Sequence, residues 1–237
     1  MPEAKWYNMI FRQLFDATSS TYTYLVASRP NGEVLLIDPV LDGVPQYLQL
    51  IDELELKLVF ALDTHVHADH ITGLGALRDR TGCTTVMGAQ TKAECVSLRV
   101  KDGETIHIDG LKLRPIYTPG HTDDSYSYLM SDRVFTGDTL LIRGTGRTDF
   151  QNGDPYAQYG SLFNKLLKLP DSTLVYPAHD YKGWNVSTIG EEKRYNPRLQ
   201  VRSADEYAAL MRALDLPNPT LMDVVVPANL RCGKRRA

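Results

Sequence analysis

The sequence predicts an α/β protein built as a four-layer αββα sandwich. Short β-like runs and helical runs interleave along all 237 residues, and they form two β-rich halves that are each finished by helices. The composition, 43% hydrophobic and 23% charged, is that of an ordinary globular protein with enough chain to bury a large core. We therefore expect a single domain over residues 1–237.

The first half is predicted to form a sheet with helices between its strands. The turn Arg29–Gly32 separates two β-like runs and indicates a hairpin. Apolar residues recur with the helical period in Pro45–Leu54, and Lys57–Leu62 is nearly continuous, as in a strand covered on both faces. The predicted elements are strands Tyr22–Ala27 and Glu33–Ile37, helix Pro45–Leu54, strand Lys57–Leu62, helix Ile71–Arg80 and strand Cys83–Met87.

The second half is predicted to begin with strands and to end in helices. Its elements are strands Thr105–Ile108, Leu111–Tyr117, Tyr126–Met130 and Arg133–Phe135, helix Tyr156–Leu169, strand Thr173–Tyr176 and helix Ala204–Leu214. The chain beyond the last helix is rich in proline, and its basic end is typical of a frayed, solvated terminus. We expect residues 231–237 to be a flexible tail.

Charge and sequence pattern exclude several classes of protein. A formal net charge of −3 gives no general attraction to nucleic acid or to an anionic membrane surface. The longest stretch without a charged residue, Ala17–Ser28, is too short and too polar to span a bilayer, and the N-terminus lacks the pattern of a signal peptide. Three cysteines imply no disulfide framework. We expect a cytoplasmic protein with no nucleic-acid or membrane partner.

One segment after the predicted strand Lys57–Leu62 concentrates metal-ligand side chains. It carries His65, His67, Asp69 and His70 within six residues. Burying four such groups unpaired would cost several kcal/mol each, which argues against a purely structural cluster. The alternative is a polar capping loop in which Asp69 begins the next helix, but capping requires one such residue rather than four.

Three more segments place candidate ligands in loops at strand ends. His121 follows a Pro-Gly pair, Asp138 follows a strand, and His179 follows another strand. Taken singly, His121 can equally be a turn residue, and the Gly-Asp pair that ends in Asp138 usually marks a turn. Loops that follow strand ends meet at one edge of a sheet, so we expect these side chains to share a site.

The ordered set resembles the metallo-β-lactamase superfamily. The signature is His65-x-His67-x-Asp69-His70 followed by His121, Asp138 and His179, with Asp38 at the end of a predicted strand. The resemblance implies the αββα metallo-β-lactamase fold with one or two metal ions. His107 lies outside the set and is interpreted as a plain surface residue.

Further segments resemble the ETHE1-type persulfide dioxygenases within that superfamily. They are Phe11–Asp16, Ser19–Tyr24, Arg143–Gln151, His179–Gly183, Ser187–Glu192, Asn196–Leu199 and Pro227–Leu230. One departure is Thr145, where some members carry a cysteine, so a thiol-based role at this position is not expected.

The family resemblance implies a specific activity and ligand set. Such an enzyme uses one non-haem Fe(II) per chain, with O2 and water, to convert glutathione persulfide into sulfite and glutathione in sulfide oxidation. The iron ligands carried over are His65, His121 and Asp138, a triad that leaves coordination positions open. The resemblance makes the remaining ligand-type residues either groups that orient the ligands by hydrogen bonds or a vestigial second metal site: His67, Asp69, His70 and His179. It also suggests a homodimer.

Glutathione is anionic and needs cationic and hydroxyl partners. Arg147 lies in a loop that resembles the glutathione-contacting loop of glyoxalase II, and its guanidinium can grip a carboxylate with two hydrogen bonds. The alternative for Arg147 is a salt bridge to Asp149 or Asp154 that holds the loop. The other candidate glutathione contacts are Tyr181, Lys182 and Arg198, and for the last two a solvated surface charge is an equal alternative.

Two other functions stay open at this point. A glyoxalase II-type thioesterase would use all seven ligands to hold two metals and hydrolyse a glutathione thioester. It is disfavoured because glyoxalase II adds a longer helical domain after the last histidine. The other candidate is a non-catalytic metal- or persulfide-binding sensor module, which a degenerate ligand set would favour. The ligands alone do not define the metal, since by affinity they prefer Zn²⁺ to Fe²⁺.

Overall fold

The computed structural model describes residues 9–217 and 222–234. Two six-stranded sheets lie between outer layers of helices in the described part of the chain. The predicted αββα sandwich is therefore confirmed. The basic residues Arg235 and Arg236 lie outside the described residues.

The first sheet has its strands in chain order. These are β1 Ile10–Asp16, β2 Thr21–Ala27, β3 Glu33–Ile37, β4 Lys57–Leu62, β5 Thr84–Gly88 and β6 Leu98–Val100. The strands from β1 to β3 pair antiparallel, as the short turn between β2 and β3 requires, whereas β3 to β6 pair parallel. Helices α1 Val44–Glu53 and α2 Leu74–Thr81 supply the crossovers between parallel strands.

The second sheet contains the remaining strands and precedes the C-terminal helices. Its strands are β7 Ile106–Ile108, β8 Leu111–Tyr117, β9 Tyr126–Leu129, β10 Arg133–Gly137, β11 Leu174–Pro177 and β12 Ser187–Thr188. Only β10 and β11 pair parallel in this sheet, and helix α3 Pro155–Asn164 connects them. Three further helices follow: α4 Ile189–Tyr195, α5 Ala204–Arg212 and α6 Met222–Asn229.

Three apolar clusters hold the layers together. The central cluster lies between the sheets and includes Tyr24 and Leu35 of the first sheet with Tyr128 and Phe135 of the second. A second cluster joins the outer face of the first sheet to α1 and α2, and a third joins the second sheet to α3 and α5. Each sheet is thus covered on both faces, which explains why strands such as β4 lack a polar side.

The sequence analysis missed several elements. Strands β1, β6 and β12 and helices α4 and α6 were not predicted, and α2 begins at Leu74 rather than at Ile71. Helix α6 lies in the segment interpreted as a proline-rich tail and contains Pro227. Burial of Val225 and Ala228 stabilises it, so tertiary packing outweighs the low helix propensity of proline.

The expected tail over residues 231–237 is also wrong in its first part. Cys232 is 1% exposed and forms a disulfide with Cys95, 137 positions earlier in the chain. Residues 231–234 therefore belong to the packed part of the molecule, and residues 235–237 lie outside the described region. Among the described helices, all are too short or too polar to cross a membrane.

Candidate metal centre

The candidate ligands lie on loops at the ends of strands from both sheets. His65, His67 and His70 follow β4, and Asp138 and His179 follow β10 and β11. The predicted alternative in which Asp69 caps the next helix is wrong, because α2 has Gly73 at its N-cap. The loops instead bring these side chains together, as expected from the positions of the candidate ligands after strand ends.

Two histidines and one aspartate form the first group. The available ligand atoms of His65, His121 and Asp138 lie within 4.8 Å of one another. Nδ1 of His121 donates to the carbonyl of Arg147 at 2.8 Å, which leaves Nε2 of His121 with a free lone pair. Gly146 is required beside this group, since a Cβ there would lie 2.8 Å from Nδ1 of His121 and 2.3 Å from the carbonyl of Asp138.

A second group lies beside the first and consists of His67, Asp69, His70 and His179. His179 connects the two groups, because its Nδ1 lies 2.7 Å from Oδ1 of Asp138 and its Nε2 lies 2.8 Å from Oδ2 of Asp69. Both ring nitrogens of His179 are thus bonded to carboxylates. In the described structure, Nδ1 of His67 and Nε2 of His70 are buried without a hydrogen-bond partner.

Burial and neighbouring charges set the protonation states in the two groups. Burial lowers the pKa of His65 and His67 well below its usual value, so both rings are neutral and keep a lone pair for a metal. Burial alone would lower the pKa of His179 too, but Asp138 and Asp69 raise it well above its usual value. The charge of His179 in turn outweighs burial and holds the pKa of Asp138 and of Asp69 below their usual range.

Asp38 contacts the loop that carries His65, His67 and His70 through hydrogen bonds. Its carboxylate accepts from the backbone N–H of Thr64 at 2.7 Å and contacts Nε2 of His67 at 3.1 Å. Burial raises the pKa of Asp38 to about 6. Asp38 adopts the left-handed conformation with φ 51°, so the chain turns there to direct the carboxylate under the loop.

Comparison with known proteins identifies the family. The profile of the metallo-beta-lactamase superfamily matches residues 17–99 and 96–179. Human persulfide dioxygenase ETHE1, mitochondrial, is 46% identical over 228 residues, which cover 95% of this chain and 89% of that protein. The crystal structure of ETHE1 from Myxococcus xanthus is 54% identical, with a TM-score of 0.93 and coverage of 95% and 100%. The chain belongs to the ETHE1 family of persulfide dioxygenases.

A more distant relative is described as a hydrolase rather than as a dioxygenase. A probable metallo-hydrolase of Burkholderia pseudomallei is 30% identical over 276 residues, which cover 95% of this chain and 94% of that protein. The much higher identity to the ETHE1 proteins confirms the predicted family and makes this chain an enzyme of the oxidoreductase class.

A cavity of about 780 Å³ opens above the centre of this ETHE1-family enzyme. Its wall includes His121 and Asp138 of the first ligand group and Asp69 and His179 of the second. All four candidate glutathione contacts also line it: Arg147, Tyr181, Lys182 and Arg198. Tyr181 is 70% exposed, and its ring lies parallel to that of His179 with 6.1 Å between centroids.

Arg147 already has protein partners in the structure. Its guanidinium binds Asp149 through Nε at 2.6 Å and Nη2 at 2.7 Å, and it donates to the carbonyls of Leu216 and Pro217. The salt bridge to Asp149 considered from the sequence is therefore present, whereas Asp154 caps α3 instead.

The other two cations differ in their surroundings. Arg198 is half-buried and donates to the carbonyl and hydroxyl of Thr145, so it is not a freely solvated surface charge. Lys182 is exposed at the mouth of the cavity. His107 is exposed on β7, as expected.

Sequence reasoning missed the residues that hold the loop after Asp138. Glu192 is fully buried, and its carboxylate accepts from the backbone N–H and the guanidinium of Arg143 and from Asn196. The hydroxyl of Tyr207 also contacts this loop, at the hydroxyl of Thr145 at 3.1 Å. Glu192 could have been identified from the sequence, because it is a charged residue within Ser187–Glu192, a segment that resembles the family.

Proposed function

We propose that the protein oxidises glutathione persulfide with O2 and water to sulfite and glutathione, using one Fe(II) per chain held by His65, His121 and Asp138. The observation that carries this proposal is the convergence of two imidazoles and one carboxylate within 4.8 Å, beside a cavity of about 780 Å³ that His121 and Asp138 line. This donor set suits ferrous iron and leaves positions open for reactants. Family membership supplies the reaction class.

The fit of the residues to a metal ion follows from their hydrogen bonds. Thr64 contacts Nδ1 of His65 at 2.9 Å, and the carbonyl of Arg147 engages Nδ1 of His121, so each ring is oriented by a bond at the nitrogen opposite its proposed ligand atom. Asp138 provides the only negative charge of the triad, and His179 fixes its orientation. Bound iron would supply the electrons that activate O2.

His179 acts through hydrogen bonds in this one-metal proposal. In the structure its two nitrogens contact the carboxylates of Asp69 and Asp138, whereas a two-metal thioesterase would use one of these nitrogens as a metal ligand. His67, Asp69, His70 and His179 therefore act in this proposal as groups that orient the ligands. The partnerless nitrogens of His67 and His70 are the feature that a second ion would use.

Substrate binding is assigned to the cavity wall. We propose that Arg147, Lys182 and Arg198 attract the glutathione carboxylates and that Tyr181 offers its hydroxyl and ring at the mouth of the cavity. A substrate carboxylate that reaches Arg147 must share or replace Asp149. The persulfide would then point towards the triad, and its translational and rotational entropy would be lost on binding rather than in the reaction step.

Assembly and location are further proposals. We propose a homodimer, which light scattering of the purified protein would test. We also propose a cytoplasmic location, although the name of the human relative includes "mitochondrial". Cell fractionation with an antibody against the chain would decide between the two compartments.

The decisive experiment compares iron-loaded and zinc-loaded protein. We expect O2 consumption and sulfite formation with glutathione persulfide only in the iron form, because Zn²⁺ has no accessible redox chemistry. Hydrolysis of a glutathione thioester by the same samples measures the competing hydrolase activity. Sulfite formation at a normal rate by zinc-replete, iron-free protein would refute the proposal, and binding of persulfide without turnover would favour a sensor.

A further inference from the structure

The C-terminal segment 222–234, which we call the clasp, packs against the loop that carries the metal ligands. It contains α6 and the Pro227–Leu230 segment that resembles the family but has no assigned role. Asn229, the last residue of α6, is 3% exposed and lies directly behind the loop. A buried amide of this kind has all its hydrogen-bonding groups committed to the protein interior.

The Asn229 side chain binds the loop on both sides of Asp69. Nδ2 of Asn229 donates to the carbonyl of His67 at 2.9 Å and to the carbonyl of His70 at 2.8 Å. Its Oδ1 accepts from the N–H of Thr72 at 2.9 Å. The two N–H groups and the oxygen of a single side-chain amide thus hold the backbone on both sides of Asp69 in place.

A continuous series of hydrogen bonds leads from this backbone to the anionic ligand. Oδ2 of Asp69 lies 2.8 Å from Nε2 of His179, and Nδ1 of His179 lies 2.7 Å from Oδ1 of Asp138. A shift of the Asp69 backbone would therefore be transmitted through His179 to Asp138.

The clasp is itself anchored to the first half of the chain. Cys232 is bonded to Cys95, and the N–H of Glu94 donates to the carbonyl of Leu230 at 3.1 Å. The N–H of Gly75, in α2, donates to the carbonyl of Cys232 at 3.1 Å. These attachments hold the chain directly after α6, so Asn229 has a fixed position from which to act.

We infer that Asn229 is a positioning residue for the metal centre, which orients Asp138 through the Asp69–His179 pair. The inference rests on the proposed metal site at His65, His121 and Asp138. Asn229 itself touches neither metal nor substrate.

The test measures Co(II) binding to metal-free protein, with the visible absorption of bound Co(II) as a second readout. Asn229→Asp keeps the size of the side chain but faces the carbonyls of His67 and His70 with an oxygen. We expect its Co(II) affinity to fall about ten- to a hundred-fold, with a changed spectrum, as is typical when a residue supporting a ligand is altered. Asp69→Asn should act alike. Because both changes interrupt one series of bonds, the double variant should lose less affinity than the product of the single losses.

Two further variants separate positioning from a general loss of stability. Ile51→Ala truncates a buried residue of the second apolar cluster, which also includes Cys232 of the clasp. Ile51 lies on α1 rather than on the ligand loop, so this variant should have a lower melting temperature and an unchanged Co(II) spectrum. If Asn229→Asp does not fold, Asn229→Ser replaces it, because the hydroxyl can still donate to one carbonyl and should give a smaller loss.

The outcomes distinguish this inference from the proposed function. Failure of the wild-type protein to bind Co(II) would overturn the metal centre and the inference together. Wild-type binding with unchanged affinity and spectrum in both Asn229 variants would overturn the inference alone. So would losses in the Asn229 and Asp69 variants that multiply in the double variant.

Discussion

Substitution of Arg147 by alanine tests how the cavity recognises its substrate. In the structure its guanidinium is partly shielded, with a side chain 15% exposed, and it makes paired bonds to Asp149 and two bonds to backbone carbonyls. Because Asp149 is 55% exposed, its ion pair adds little, and the backbone bonds dominate. The total loss of stability should be about 1–3 kcal/mol, or roughly 2–12 °C in melting temperature for a chain of this size.

If Arg147 also binds a glutathione carboxylate, as we propose, the KM for glutathione persulfide should rise. Loss of one paired, charge-assisted contact corresponds to about ten- to a hundred-fold, with kcat and bound iron retained. The matched control is Asp149→Asn, which removes the protein partner and frees the guanidinium. That variant should lose little stability, because the bonds of Arg147 to the backbone carbonyls remain, and it should keep or lower the KM.

Measurement of KM beside the melting temperature therefore separates the two roles. An unchanged KM in Arg147→Ala, with a lowered melting temperature, would remove this residue from the substrate site and leave it as a support of the loop. The pH dependence gives a further check. Arg147 holds the pKa of Asp149 below its usual range, so its stabilising effect is present above about pH 4 and disappears as the pH falls through the lowered pKa. The stability difference between wild type and Arg147→Ala should shrink in acid.

Two more substitution experiments address the metal and the disulfide. Asp138→Asn should lose most of its iron by metal analysis, because it removes the proposed anionic ligand. Asp180→Asn should keep its iron and lose no more than about ten- to a hundred-fold in activity. Asp180 also lines the cavity, but among the described residues its carboxylate binds only the N–H groups of Lys182 and Trp184. Equal loss of iron from the Asp138 and Asp180 variants would contradict the ligand assignment. Replacement of both Cys95 and Cys232 by alanine should lower the melting temperature by roughly 4–20 °C, from about 2–5 kcal/mol. A reductant should produce the same shift in the wild type and none in the variant.

The sequence was most informative where local pattern and tertiary structure agree. The hairpin of β2 and β3 and the strand β4 follow from turn residues and apolar runs, and they were predicted within a residue of their ends. The ligand-bearing loops were predicted because a cluster of histidines and aspartates is costly to bury unless its members bind a metal or one another. Their common position follows from the rule that parallel strand ends meet at one sheet edge.

The rest depends on contacts that are distant in sequence. Helix α6 forms despite Pro227 because the first half of the chain buries one of its faces. The partners of Arg147 at Leu216 and Pro217 lie 69 and 70 residues further along the chain, so no local pattern could indicate them. The pairing of His179 with both Asp69 and Asp138 likewise exists only once two sheets have come together.

The bond between Cys95 and Cys232 makes a closed ring of more than half of the chain. The ring spans 137 positions and contains the whole second sheet together with His121, Asp138 and His179, whereas His65 lies outside it. A single cut by a protease within the ring opens it without releasing a fragment, so the two pieces remain covalently joined. The candidate ligands on either side of such a cut thus stay within one covalent molecule until the disulfide is reduced.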